Sequence, residues 1–384
     1  MTIWSAWFPA SKHSMHDQRS VPEFRVRAVR LWLLAAAAMI LLTLIIGGAT
    51  RLTVSGLSIV EWKPVEGVLP PLSEGAWQSE FEKYQTIPQY RKLNQGMSLA
   101  QFKVIYLWEW THRLLARATG AVFLLPFMFF LARGWIPPPL RPRLWIIFAG
   151  GAALGVVGWW MVASGLADST LTKVSQYRLA FHMTLACAIY AAVLWTAQQI
   201  APQTPAEAPL RLRLGALAIA LLVLVQIYLG ALVAGLDAGL KYNTWPTIDG
   251  EYMPSLDRLL FISPLWRNLF ENDLTVQFNH RMLADAIWFL ALVHGFDAWR
   301  ARRAARGAII LAGAMTLQAA LGIVTLLYEA PLALALAHQV AAMLVFTIAV
   351  MHAERLSHRA IVRVPQAAGQ AACSTSRARP ASPC

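Results

Sequence analysis

WEWTHRLLARATGAVFLLPFMFFLA, residues 108–132, opens on three ionisable side chains and runs on into an apolar stretch long enough to cross a bilayer. Roughly 20 apolar residues suffice for a spanning helix. Glu109, His112 and Arg113 therefore stand at the mouth of a segment that has to dissolve in lipid. The pattern occurs twice. VQFNHRMLADAIWFLALVHGFD, residues 276–297, places His280 and Arg281 where the first copy has His112 and Arg113, but Gln277 where the first has Glu109.

Reading outward from these two segments, further apolar runs define eight spans, at about 31–49, 104–132, 144–165, 179–199, 214–234, 276–297, 308–327 and 333–353. The 384 residues are 57% hydrophobic and only 14% charged. A soluble domain carries about 25% charged residues. The expected fold is an all-α integral membrane protein. The first run exceeds a signal-peptide core and no small-residue cleavage site follows it, so it reads as a retained span. No long Arg/Ser-rich leader precedes it, which favours a bacterial inner membrane.

The net charge of +13 suggests a nucleic-acid partner only until the charges are mapped. With both termini inside, the inner segments hold 19 Lys and Arg against 4 Asp and Glu, and the outer segments 11 against 13. That asymmetry is the positive-inside pattern. RVRAVR at 25–30 and RRAAR at 302–306 are thus orientation signals, and no nucleic-acid partner is expected. Cys187, Cys373 and Cys384 all avoid the outer loops, which excludes a disulfide framework there.

The spans divide four and four about the Pro-rich, basic segment 200–213. GGATRLTVSGLSIVEWKP at 47–64 matches GALVAGLDAGLKYNTWP at 230–246, pairing Gly47, Gly56, Leu57 and Trp62 with Gly230, Gly239, Leu240 and Trp245. LAFHMTLA at 179–186 matches LALAHQVAA at 334–342, pairing His182 with His338. Four spans return the chain to its starting side, so the repeat implies two pseudo-symmetric four-helix bundles in parallel topology with both termini cytoplasmic. The domain reading is a cytoplasmic segment 1–30, a first bundle 31–199 with outer loop 50–103, a cytoplasmic linker 200–213, a second bundle 214–353 with outer loop 235–275, and a cytoplasmic tail 354–384. The tail from about 364 and the N-terminal 1–20 read as disordered.

His112, His182, His280 and His338 lie early in spans two, four, six and eight, at one depth in the outer leaflet. Unpaired polar groups are costly in lipid. Two imidazoles from facing helices can hold a haem iron on both axial sides, and bundle cores house such cofactors. Zinc fits less well, since no Cys or second carboxylate completes a tetrahedral set. His294 and His352 follow His280 and His338 by 14 residues, about 21 Å of rise on one face. Two stacked bis-His haems would use that spacing; the reading favoured here places both at the inner interface, in contact with water or headgroups. Their first-half counterparts are Pro126 and Thr196. His13, His16 and His358 read as solvated loop residues.

Ionisable groups inside a membrane are functional candidates. Arg113 and Arg281 are candidate contacts for haem propionates or, equally, snorkel to the headgroups. Arg117 and Asp285 occupy matching positions with opposite signs and suggest a cross-bundle pair. Glu109 stands three residues before His112 on a neighbouring part of the same helix face. Holding a cofactor does not require a carboxylate; proton transfer or stabilisation of developing positive charge does. The first half is therefore expected to perform chemistry and the second to hold a cofactor, with a plain Glu109–Arg113 ion pair as the alternative.

GGATRLTVSGLS, the acidic and aromatic loop 61–103, WEWTHR and GALVAGLDAGLKYNTWP resemble the haem A synthases, over about residues 30–355. The resemblance implies an eight-helix enzyme that oxidises the C8 methyl group of haem O to a formyl group through a hydroxymethyl intermediate, supplying haem A to terminal oxidases. It implies a haem b cofactor on His280 and His338, substrate haem O on His112 and His182, and an essential acid at Glu109. It also implies dealings with a haem O synthase, terminal oxidase subunits and an electron acceptor that the sequence does not identify. Some members carry cysteine pairs in the outer loops; this chain has none, so thiol–disulfide chemistry there is excluded. Bis-His ligation leaves no open iron position, which favours electron withdrawal from the methyl group and capture of water. The rival readings are a b-type electron-transfer cytochrome and a non-catalytic haem carrier or oxidase assembly factor.

Overall fold

The structure is a computed structural model that describes residues 22–166, 169–201 and 208–358. The segments expected to be disordered, 1–20 and the tail from 364, lie outside the described residues, as does the middle of the linker. Eight helices are long and apolar enough to cross a membrane. They are α1 (Glu23–Leu52), α2 (Leu99–Ala132), α3 (Arg141–Ala163), α4 (Gln176–Gln199), α5 (Leu210–Leu236), α6 (Asp273–Arg300), α7 (Ala305–Leu327) and α8 (Leu332–Ser357).

Most of these helices outrun their apolar stretches, because a helix stops where its backbone is capped and not where hydrophobicity ends. Ser98 and Gln101 form a reciprocal capping box before α2. The Asn272 side chain accepts from the backbone N–H groups of Leu274 and Thr275 at the start of α6. Likewise α8 runs to Ser357 and brings His358 into the buried part of the protein, where its ring meets Glu354 at 2.7 Å. The expectation of a solvated His358 is thus corrected: the helix extends one turn beyond the apolar run and carries its own carboxylate partner.

Pro126 sits inside α2 without ending it. Proline has no N–H to offer the carbonyl one turn back, that of Val122. The indole of Trp32 in α1 donates to that carbonyl at 2.8 Å, and the same ring packs among Phe123, Phe127 and Phe130. The sequence thus supplies from a neighbouring helix the donor it removes from α2, as lipid-embedded backbone requires.

Helix α1 packs on α2 and α4, and α3 packs on α2 and α4, so α2 and α4 face each other across a diagonal. In the same way α5 and α7 each pack on α6 and α8. The two sets join along α4–α5, α4–α8 and α1–α8. At the end carrying the long loops, Arg51 of α1 and Lys173 both pair with Asp237 just past α5, and Tyr177 donates to Glu271 at 2.7 Å. The first long loop folds helices Glu74–Gln85 and Pro88–Leu93 onto α2, through a cluster of Phe81, Tyr84, Phe102 and Tyr106. Lys83, bonded to Glu80 and then Glu61, is held above the ordinary lysine range.

Candidate functional site

Each of the four repeat histidines meets a glycine on a neighbouring helix. A Cβ on Gly47 of α1 would stand 2.7 Å from the His112 ring, and one on Gly158 of α3 3.0 Å from His182. In the second set a Cβ on Gly230 of α5 would lie 3.1 Å from His280, and one on Gly322 of α7 2.8 Å from His338. Imidazoles therefore occupy one diagonal of each set and glycines the other. Contacts this short leave no room for any other residue at Gly47 or Gly322 unless the ring moves. His112 and His182 lie within electrostatic reach of each other, as do His280 and His338.

The surroundings of the rings suit iron ligation. The backbone carbonyls of Thr43 and Gln226, one turn before Gly47 and Gly230, lie beside His112 and His280. A ligating histidine directs its second ring N–H at such a group. In the second set the Gln226 and Gln318 amides donate to the carbonyls of His280 and His338, at 2.8 and 3.1 Å, and meet each Nδ1 at 3.0 and 3.1 Å. In the first set Nδ1 of His112 and Nδ1 of His182 are both buried with no hydrogen-bond partner among the described residues. The next glycine along, Gly48, receives Gln339, the neighbour of His338, which donates to the Leu44 carbonyl at 2.9 Å. The Gly47–Gly48 pair thus touches both histidine sites.

Glu109 is buried and held by four donors. Its Oε2 accepts from the Ser58 hydroxyl at 2.8 Å and the Ile59 N–H at 2.9 Å. Its Oε1 accepts from Nε and Nη2 of Arg113 at 3.1 and 2.6 Å. Arg113 continues to the carbonyls of Ile59 and Glu61. The second copy repeats the latch with reversed polarity. The Gln277 amide donates to the carbonyls of Tyr242 and Ala238, at 2.9 and 3.3 Å. Arg281 bonds the carbonyls of Tyr242, Thr244 and Thr247. A carboxylate accepts only, whereas an amide also donates. The Glu/Gln difference therefore matches what each loop presents: donors in the first half, carbonyls in the second.

Other expectations land differently. Arg117 donates to the carbonyls of Pro64 and Lys63 at 2.8 Å each. It lies one turn past Arg113 on the face that follows the first loop, which corrects the suggested cross-bundle pair with Asp285. His294 and His352 are buried, with their Nε2 atoms 2.9 Å apart. The expectation that they face water or headgroups is corrected: they lie on the inner diagonal of their set, not at its surface.

The cytochrome oxidase assembly protein description COX15-CtaA matches residues 30–350. The chain belongs to the COX15-CtaA family. Heme A synthase of Rhodopseudomonas palustris strain BisA53 is 58% identical over 337 residues, 87% of this chain and 92% of that protein. Heme A synthase of strain TIE-1 is 59% identical over 87% of this chain and 90% of its own length. Heme A synthase of Bradyrhizobium diazoefficiens is 56% identical over 88% of this chain and 94% of its own. The COX15-CtaA match takes in α2 to α7 entire and most of α1 and α8, so it holds every histidine, glycine and latch residue of both diagonals except His352.

Proposed function

We propose that the chain oxidises haem O to haem A, converting the C8 methyl to a formyl group, as a multi-pass protein of the bacterial inner membrane. The observation that carries this reading is the likeness to heme A synthases over nearly the full length of both chains, joined to two diagonals of half-buried imidazoles each cradled by glycine. The eight helices form two pseudo-symmetric four-helix bundles with both termini cytoplasmic, a reading the internal repeat and the charge asymmetry of the loops support. The first bundle receives haem O on His112 and His182. The second holds haem b on His280 and His338, which would pass single electrons from the substrate to an acceptor. The glycine cradles, and the carbonyls beside two of the rings, fit such a group.

Overall, methyl and water give formyl, four protons and four electrons, in two oxidations through the hydroxymethyl stage. His112 and His182 orient the macrocycle and close both axial positions. Capture of water by an electron-depleted methyl carbon then needs a fixed negative charge nearby. Glu109 supplies it. Its two oxygens already accept four hydrogen bonds, which occupy the roughly four lone-pair positions of a carboxylate. It therefore acts as a preorganised anion rather than as the proton acceptor. Arg113 is given to the latch, and the first loop, drawn down by it, limits water at the site. A haem O synthase upstream and a terminal oxidase downstream are the partners this chemistry requires.

The test is mass analysis of haem extracted after co-expression with a source of haem O. Haem A or the hydroxymethyl species is expected; haem b alone would establish an electron-transfer cytochrome instead. A second expectation concerns the cradle. Gly322→Ala forces His338 to shift, and overpacking of this kind costs about 1–3 kcal/mol. Haem b affinity should fall about 5–150-fold in titration of the haem-free protein. Gly313→Ala, on the same helix with nothing within 4 Å of its Cβ, should leave it unchanged.

A further inference from the structure

We propose that His294 and His352 are the axial ligands of a second haem in the second helix set, at the end away from the long loops. The proposal rests on the reading of His280 and His338 as a haem pair. His294 and His352 stand 14 residues further along the same two helices, α6 and α8. Four turns of helix return the second pair to nearly the same face, about 21 Å deeper.

The glycines repeat with them. A Cβ on Gly215 of α5 would lie 3.0 Å from the His294 ring, and one on Gly307 of α7 2.7 Å from the His352 ring. Both glycines stand 15 residues before Gly230 and Gly322 on helices that run the opposite way. The lower level is therefore the upper one again: imidazoles on the α6–α8 diagonal, glycines on the α5–α7 diagonal. Small side chains pack around it, with Ala216, Ala298, Ala308 and Ala353 all buried.

The first helix set serves as an internal comparison. At the positions equivalent to Gly215, His294, Gly307 and His352 it carries Trp32, Pro126, Arg143 and Thr196. All four residues differ together. Trp32 and Arg143 are both buried, so bulk occupies the level where the second set keeps two glycines. With metal–imidazole bonds of about 2 Å, an iron between the rings needs the nitrogens about 4 Å apart. The present 2.9 Å contact must open by about 1 Å. Two haems at these levels would carry electrons from the loop-bearing end of the membrane to the opposite face.

The experiment uses the full-length purified chain with His112→Ala and His182→Ala, which removes the first-half ligands, saturated with haemin. Haem b per chain is then counted by pyridine haemochrome absorbance. Two are expected, falling to one with His294→Leu and His352→Leu added, and to one with His280→Ala and His338→Ala added instead. A single haem that survives the 294/352 change overturns the proposal. A single haem lost only with that change supports this pair and overturns the reading of His280 and His338. The unaltered chain gives a count free of folding defects: a haem total at saturation that falls by one when His294→Leu and His352→Leu are introduced supports the proposal, and a total that does not fall overturns it.

Discussion

Replacing Glu109 with glutamine is expected to lower haem A formation at least about 100-fold while the haem content of the purified protein stays the same. Loss of one preorganised charge or donor at a reacting centre typically costs 10²–10³ in rate. The structure adds a second cost. Every group that reaches the Glu109 oxygens is a donor: the Ser58 hydroxyl, the Ile59 N–H and the Arg113 guanidinium. A glutamine must turn its NH₂ toward one of them, leaving donors opposed and Arg113 without its counter-ion. Breaking a buried ion pair by removing one partner costs about 3–5 kcal/mol, so loop attachment must be measured separately from turnover. Ser58→Ala does so, since it removes one latch bond and keeps the charge. It should cost less than about 10-fold in turnover and show up mainly in proteolytic sensitivity of the first loop. Wild-type haem A formation by Glu109→Gln with haem retained would remove Glu109 from the chemistry. Equal losses in Glu109→Gln and Ser58→Ala would make it a loop-positioning residue only.

The same residues show what a sequence can and cannot convey. The eight spans were legible because lipid solubility has to be written into a chain as continuous apolar runs. Their ends were less legible: α1 starts at Glu23 and α8 ends at Ser357, where capping and tertiary contact decide. The four histidines were legible through the repeat, since matched depth in two copies is hard to produce otherwise. Gly47 and Gly230 were visible as matched letters, but their reason, an imidazole from the next helix, is a contact between distant residues. Gly158 and Gly322 escaped notice because α3 and α7 carry no polar motif to align, and their distances from Gly47 and Gly230 differ between the halves. Gln226, Gln318 and Gln339 were missed for the same reason, as amides inside apolar runs that find their partners across helices. The sequence reads the Glu109/Gln277 difference as chemistry, with a Glu109–Arg113 ion pair as the alternative, and that pair is present at 2.6 Å. The reversed polarity of the two loops supplies a structural cause that no one-dimensional comparison contains.

His338→Ala and His112→Ala are expected to disable the protein in opposite ways. On the proposed ligation, removing His338 takes one axial ligand from the second bundle, and it leaves Gly322 facing a void where the ring stood. His280, though still bonded by Gln226, can then offer only one imidazole. The resident b-type absorbance should disappear from the purified chain and haem A formation with it, since the substrate's electrons lose their route. Removing His112 should leave the b-type absorbance of the second bundle in place, because Gly230, Gly322, Gln226 and Gln318 belong to α5 and α7, which pack on α6 and α8. Haem O binding should weaken and turnover fall below detection. Reduced-minus-oxidised spectra of the two variants, with haem O titrated into each, separate the outcomes. Loss of the b-type signal in both would mean that the bundles fold or load as one unit through the Gly48–Gln339 contact. Retention of the signal in both would place the resident haem elsewhere, and the assignment of His280 and His338 would fail. The expected split, one variant without cofactor and the other without substrate, follows from the proposed division of labour between the two helix sets.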